Sequence, residues 1–247
     1  MDLMQRAKIS IIRLGEIDST NLYAKANLAD IADKTVVISD KQTNGRGRFE
    51  RAWVDLGDGN IFMSLVLKPA NTFNPVYANL TQYFSLLLCK LLEEYNLKPQ
   101  IKWPNDVLVD GKKIAGILSE TVMQGNNFKG LVLGAGINLN AQKEDLSLIT
   151  DKEVTALNIE IEHFIDKNEF LDKLLESFFE NYDEFLMKGF SMIENDYINR
   201  ACFLGKEISV KGFNETFTGV AKSVNSRGEL VLEKDNREFV LTMGDIL

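Results

Sequence analysis

Two rhythms of apolar and polar positions run along the chain, and the switches between them mark out its elements. KISIIRL at 8–14 predicts an entry strand, and TVVISD at 35–40 a short apolar strand. NIFMSLVLKP at 60–69 predicts a third strand, ended by Pro69. Between the first two strands, Ser19 or Thr20 is placed to cap a helix through LYAKANLA. Asn74 before Pro75 has the pattern of a cap with proline at the first helical position. The helix it opens, YANLTQYFSLLLCKLLEEY, is apolar enough to be deeply buried.

Further on, IKWPND turns into VLV, then Asp110-Gly111, then KKIAGILSETVM. Asp-Gly between apolar runs is a strong two-residue hairpin signal. A second turn at Gly125-Asn126-Asn127 leads into FKGLVLGAGINL, so 107–139 predicts three antiparallel strands in a meander. Asp166 with Glu169 has the capping-box spacing. The helix behind it carries Phe170, Leu174, Leu175, Phe178, Tyr182, Phe185 and Leu186 on one stripe, and Gly189 closes it. A shorter helix is expected over 190–201. From Phe203 the pattern shifts to KEISVKG, ETFTGVAKSV, ELVLEK and EFVLTM, short strands split by Gly, Asn and Ser turns. That all-β unit is too small to be stable without packing on the rest. The expected organisation is a domain over 1–202 and a small one over 203–247.

Composition narrows the function classes. The chain has 247 residues, 45% apolar, with a net charge of −8. No apolar run approaches the roughly 18 residues needed to span a bilayer, and MDLMQRAKISII lacks a signal-peptide cleavage pattern. Cys89 and Cys202 are isolated, which suggests free thiols in a reducing, cytoplasmic compartment. The lone His163 has no Cys or His neighbour, and no dedicated metal motif is visible. Positive charge concentrates in Lys41–Arg51 and at Lys112-Lys113. A local basic patch on an acidic chain suits a small anionic ligand and suits a DNA backbone poorly.

The basic patch holds the candidate chemistry. GRGRFERAW at 45–53 alternates glycine with Arg46, Arg48 and Arg51. Glycine lets backbone N–H groups approach oxygens closely, and arginine offers them a planar fork. Lys113 follows a tight turn onto a strand, where it acts as a fixed point charge. Asp18-Ser19-Thr20-Asn21, Gln42, Trp103-Pro104-Asn105-Asp106 and LGAGINLN at 133–140 occur with them, in order.

As a set, DSTN, GRGR…R.W, KWPND…KK.AG.L.E and GAGIN make the chain resemble the biotin protein ligases, also called biotin–[acetyl-CoA carboxylase] ligases, from about Gly15 to the C-terminus. One departure is Glu50, where the family loop has glycine. It would stiffen the loop and put a carboxylate beside three arginines. The resemblance implies an α+β fold: a mixed, largely antiparallel sheet with helices, of the class II aminoacyl-tRNA synthetase-like kind, plus an SH3-like C-terminal barrel. It implies two steps. Biotin's carboxylate attacks the α-phosphate of ATP to give biotinyl-5′-AMP and pyrophosphate. A lysine of a biotin carboxyl carrier protein, the acetyl-CoA carboxylase subunit, then attacks the anhydride and AMP leaves.

Carried over by position, Ser19, Thr20, Asn21 and Gln42 would meet biotin's ureido ring. Gly45, Arg46, Gly47 and Arg48 would cover the ligand, with Arg46 and Arg48 facing carboxylate and α-phosphate. Lys113 would bridge those groups, and Gly116 would form the pocket floor. Trp53 is a candidate adenine wall or a packing residue. Asn105, Asp106 and Asn138 are adenylate-side candidates, Asp106 being alternatively a turn acceptor after Pro104. Mg²⁺ is expected to enter with ATP. Only about 15 residues precede the GEIDSTN segment, so no helix-turn-helix repressor module and no specific DNA binding are expected, and the chain is expected to be a monomer or weak homodimer. Two other readings compete. A lipoate or octanoate ligase or transferase of the same fold would carry a glycine triplet and a histidine motif, and this chain has neither. A non-enzymatic biotin or adenylate sensor would not need the full loop-plus-lysine set.

Overall fold

The computed structural model describes residues 9–247, with Glu50 described in its backbone alone. Lys8 of the expected entry strand and the expected pairing of the Glu50 carboxylate with the arginines lie outside the described residues.

Seven strands form the main sheet: β1 (Ser10–Ile17), β2 (Thr35–Gln42), β3 (Ile61–Leu67), β4 (Pro99–Lys102), β5 (Asp106–Val109), β6 (Lys112–Gln124) and β7 (Asn127–Ile137). Their spatial order is β1-β2-β3-β7-β6-β5-β4. Only β1 and β2 pair in parallel, joined through helix α1 (Thr20–Ala26); every other pair is antiparallel. The sheet is thus mixed and largely antiparallel, as expected. Asp110 and Gly111 both take positive φ, 48° and 79°, the two-residue turn that matches strand twist. The expected meander of β5, β6 and β7 forms around it. β4, which alternates over only four residues and begins on a proline, was not expected.

The two faces of the sheet are covered unequally. Met63 and Leu65 of β3 point into a large core with helix α2 (Leu80–Glu93) and the later helices. Those later helices differ from expectation by one break. Asp166 does cap, accepting from the N–H groups of Asn168 and Glu169. Glu169, however, pairs with Lys173 one turn on. The expected single helix divides at Asn181 (φ −116°) into α5 (Lys167–Glu180) and α6 (Tyr182–Lys188). The turn is compatible with asparagine's weak helical preference, and Phe185 stacks on Tyr83 with centroids 4.3 Å apart. Two short helices, α3 (Lys143–Leu146) and α4 (Leu157–Ile161), precede them, and α7 (Glu194–Ile198) follows.

The opposite face carries much less. Val66, Val132 and Val37 pack there with Ala24, Leu28 and Ile31 of the α1 region. Where this thin cover ends, the sheet is open to a cavity. No helix among the described residues is long and apolar enough to cross a membrane.

The C-terminal residues form a separate five-stranded antiparallel sheet, ordered β11-β10-β9-β8-β12. Its strands are β8 (Glu207–Lys211), β9 (Thr216–Val224), β10 (Leu230–Lys234), β11 (Arg237–Leu241) and β12 (Asp245–Ile246). Val210, Ala221, Leu230, Leu232 and Ile246 belong to the same apolar cluster as the main core. Gln82 Nε2 and Trp103 Nε1 both donate to Gly228 O, at 2.8 and 3.2 Å. The small sheet packs on the main core at α2 and the β4–β5 turn, which answers the problem of its size.

Candidate functional site

The open face holds a cavity of about 640 Å³, and three sets of side chains divide its lining.

At one end, the start of α1 meets β2 and β3. Gln42 Oε1 accepts from Thr20 N at 2.8 Å and lies 3.1 Å from Thr20 Oγ1. Gln42's own backbone N–H donates to Asp55 Oδ2 at 2.8 Å. Ser19 occupies the N-cap position but makes no side-chain cap; Gln42 replaces it, leaving Ser19 to line the cavity. Asn21 lies against Gly134, where a Cβ would come within 2.8 Å of Asn21 Cγ. Glycine in β7 is therefore what admits this polar cluster.

In the middle lies a floor of Gly116 and Gly136, paired across β6 and β7. The Trp53 indole rests directly on it: an added Cβ at Gly116 would meet Trp53 Cζ3 at 2.8 Å. Trp53 Nε1 is buried without a hydrogen-bond partner among the described residues. The reading of Trp53 as a packing residue thus describes this arrangement, and the space over Gly116 belongs to Trp53 and Lys113.

At the far end the charges gather. Lys113 Nζ lies 2.6 Å from Asp106 Oδ1 and 5.5 Å from the centre of the Trp53 ring. Pairing across β5 and β6 shifts by one residue here, with Leu108 opposite Lys113 and Val107 opposite Ala115. The bulge brings odd-numbered Lys113 onto the same face as even-numbered Gly116. Lys113 N donates to Glu153 O and its carbonyl accepts from Thr155 N. The lysine backbone is therefore held on both edges, as a positioned charge requires. Asp106 is Lys113's counter-ion.

The arginine loop folds over this end as a small hairpin. Gly47 N donates to Arg51 O, Trp53 N to Gly45 O, and Phe49 takes a positive φ of 51°. Glycine-flanked arginines that repel one another are expected to have few contacts without an anion. The C-terminal sheet supplies that anion. Arg48 Nη1 donates to Asp245 Oδ1 at 2.8 Å, to Gly244 O at 2.9 Å and to Asn105 Oδ1 at 3.2 Å. Arg51 reaches Asp245 Oδ2 at 3.1 Å, and Phe49 packs edge-on against Phe213. Burial pulls the Arg48 guanidinium below its ordinary pKa, against the opposing pull of Asp245 and Asp106. Asp245→Asn keeps an acceptor and removes the charge. It is expected to raise hydrogen exchange across 44–51 while β6 stays protected, and unchanged exchange in the loop would deny Asp245 this role.

Most of the residues singled out by sequence converge here: Ser19, Thr20, Asn21, Gln42, Arg46, Gly47, Arg48, Trp53, Asn105, Asp106, Lys113 and Gly116 all line the cavity. Two do not. Gly45 is buried behind the loop, where a Cβ would strike Trp53 O at 2.6 Å. Asn138, an adenylate-side candidate by sequence, does not line the cavity; it donates to Thr155 O and braces the backbone beneath Lys113. Asp245, Ser64, Glu120 and Asp55 were not anticipated.

Residues 14–138, just over half of the chain, match the model of the biotin/lipoate A/B protein ligase family. The chain belongs to that family. Among its curated relatives within these ligases, the biotin–[acetyl-CoA-carboxylase] ligase of Paracoccus denitrificans is 32% identical, over 89% of this chain and 92% of that protein. The bifunctional ligase/repressor BirA of Bacillus subtilis is also 32% identical, over 81% of this chain. The chain spans only 61% of that relative's length. The fold of this ligase family member matches a solved biotin protein ligase from Aquifex aeolicus, in complex with biotin and ATP. The TM-score is 0.79 at 26% identity, covering 96% of this chain and 97% of that one.

Proposed function

We propose that this chain is an ATP-dependent biotin protein ligase. It makes biotinyl-5′-AMP and then biotinylates a lysine of a biotin carboxyl carrier protein. One observation carries the reading: a neutral polar pocket at Thr20, Asn21 and Gln42 shares one cavity with Lys113, Arg46 and Arg48. A ligand with an uncharged hydrogen-bonding head and an anionic tail fits that order. Biotin has a ureido ring at one end and a carboxylate at the other.

The chemistry follows from charge. A carboxylate oxygen is a poor leaving group, so acylation of an amine needs the activated anhydride. Negative charge grows on the α-phosphoryl oxygens as the biotin carboxylate attacks and pyrophosphate departs. Fixed donors aimed at that charge lower the barrier most. Lys113 and the Arg48 fork serve there, with Arg46 at the mouth. Among the described residues Arg48 donates through Nη1, to Asn105, Gly244 and Asp245, and its Nε–Nη2 edge serves an oxyanion. A ligand lying on Gly116 and Gly136 displaces the Trp53 indole, which then becomes available to the adenine. Asp106 and Asp245 are both engaged by cations, so this donor set fits Mg²⁺ arriving as part of the nucleotide. Bound with the nucleotide, Mg²⁺ would supply neutralisation of phosphate charge. The amine of the carrier lysine attacks the acyl carbon, loses a proton, and AMP leaves with the bonding pair. We assign residues 1–202 to the adenylating body and 203–247 to the SH3-like unit that braces the arginine loop.

The test is biotin-dependent formation of adenylate from ATP labelled at the α-phosphate, with pyrophosphate released in equal amount. Equal turnover of lipoate or octanoate, or none with biotin, contradicts the reading.

A further inference from the structure

Behind the polar pocket runs a chain of polar groups that begins at Thr20 and Asn21, which line the cavity, and continues to Ser64, Glu120 and Lys25, which do not. Glu120 of β6 accepts from Asn21 Nδ2 at 2.9 Å and from Lys25 Nζ at 2.6 Å. Asn21 and Lys25 stand one turn apart on α1 and grip the carboxylate together. On its other side, Asn21 Oδ1 lies 2.6 Å from Ser64 Oγ, which lies 2.8 Å from Thr20 Oγ1. Ser64 is completely buried in the middle of β3, and Asn21 and Thr20 are nearly so.

Counting protons fixes the direction of this chain. An ionised carboxylate only accepts, so Asn21 must turn its amide N–H toward Glu120 and its carbonyl toward Ser64. Two oxygens at 2.6 Å need a proton between them, and the carbonyl has none. Ser64 therefore donates its single proton to Asn21. Thr20 Oγ1 has one proton for two contacts, Ser64 Oγ at 2.8 Å and Gln42 Oε1 at 3.1 Å; the shorter contact, which no other proton can fill, takes it. Thr20 Oγ1, its proton spent inward, offers only lone pairs to the cavity.

We propose that Glu120, through Asn21 and Ser64, is the positioning residue that makes Thr20 an obligate acceptor, selecting a ligand that presents an N–H there. The inference rests on the reading of the cavity as a biotin site and adds how its ureido N–H is chosen. A neutral group at 120 releases the constraint. Asn21 can then flip, Ser64 can donate to Thr20, and the proton of Thr20 is no longer held inward but divides between Gln42 Oε1 and the cavity, where it opposes the ligand's N–H. Glu120 faces Lys25 and Asn21 on α1 and the charge of Arg46 on the loop. Burial pushes its carboxyl pKa up, yet Lys25, Asn21 and Arg46 together hold it below the ordinary value. The ionised state is lost only as pH falls through that lowered value. Without Lys25 the loss begins at higher pH.

The experiment measures biotin affinity by calorimetry across pH for wild type, Glu120→Gln and Lys25→Met, each checked for an unchanged melting temperature. Glu120→Gln should weaken biotin about tenfold at neutral pH and leave the affinity of a non-hydrolysable ATP analogue unchanged. Lys25→Met should move the acid limb of biotin affinity to higher pH, a shift that a merely structural salt bridge does not produce. Wild-type affinity in folded Glu120→Gln, or superimposable pH profiles, overturns the proposal. If Glu120→Gln fails to fold, the Lys25→Met profile decides alone. Absence of biotin binding by the wild type overturns the functional reading and this inference with it.

Discussion

Replacing Lys113 with alanine is expected to cut adenylate formation on the order of 10²-fold or more, the usual cost of one pre-organised charge donor. The fold should survive, because the Lys113 side chain stands in the cavity and no apolar core residue depends on it. Its backbone is secured independently, by β5 on one edge and by Glu153 and Thr155 on the other. Two effects act on the site. The α-phosphoryl oxygens lose their most rigid cation, and Asp106, 2.6 Å from Nζ in the intact protein, is left as an unpaired carboxylate facing incoming phosphate. Both oppose the transition state more than they oppose neutral biotin's head group, so kcat should fall further than biotin affinity. Pyrophosphate release followed with time checks this. A near-normal rate would remove Lys113 from the chemistry.

Arg48→Gly should fail in a different way. Arg48 is the point at which the loop, the adenylating body through Asn105, and the C-terminal sheet through Asp245 are joined. Glycine there removes all three bonds and frees more backbone in a loop already carrying Gly45 and Gly47. Some adenylate should still form, since Lys113 and Arg46 remain. The loosened loop no longer retains it, so biotinyl-AMP escapes and acylates exposed lysines of bystander proteins. Blotting for biotin on an added unrelated protein reads the leak. Labelling confined to the carrier would show that Arg48 does not act as a lid.

How far the chain could be read in advance depended on whether a residue's partner was near in sequence. The Asp110-Gly111 turn, the Asp166 cap and the Gly189 stop are local, and each forms as expected. The Lys113 site was legible because turn, strand and glycines follow one another within a few residues. The bulge that aims Lys113 was not, since it shows only in the pairing with Leu108. Ser64 sits in a strand whose every residue is buried, and by pattern alone it is simply a small core residue. Asp245 lies 197 residues from Arg48, and no local rhythm connects them. Trp53 on the glycine floor is likewise a tertiary choice: a void over two glycines is filled by the nearest large ring. The break at Asn181 belongs with these, because its apolar stripe continues unbroken through the turn.

The central claim is most directly tested by transfer. The protein is incubated with ATP, magnesium, biotin and a biotin carrier domain, alongside the same carrier with its target lysine replaced by arginine. The account predicts one biotin on the intact carrier, dependent on ATP, and none on the arginine variant. ATP-independent labelling, or a carrier left unmodified while biotin and ATP are both bound, would contradict it.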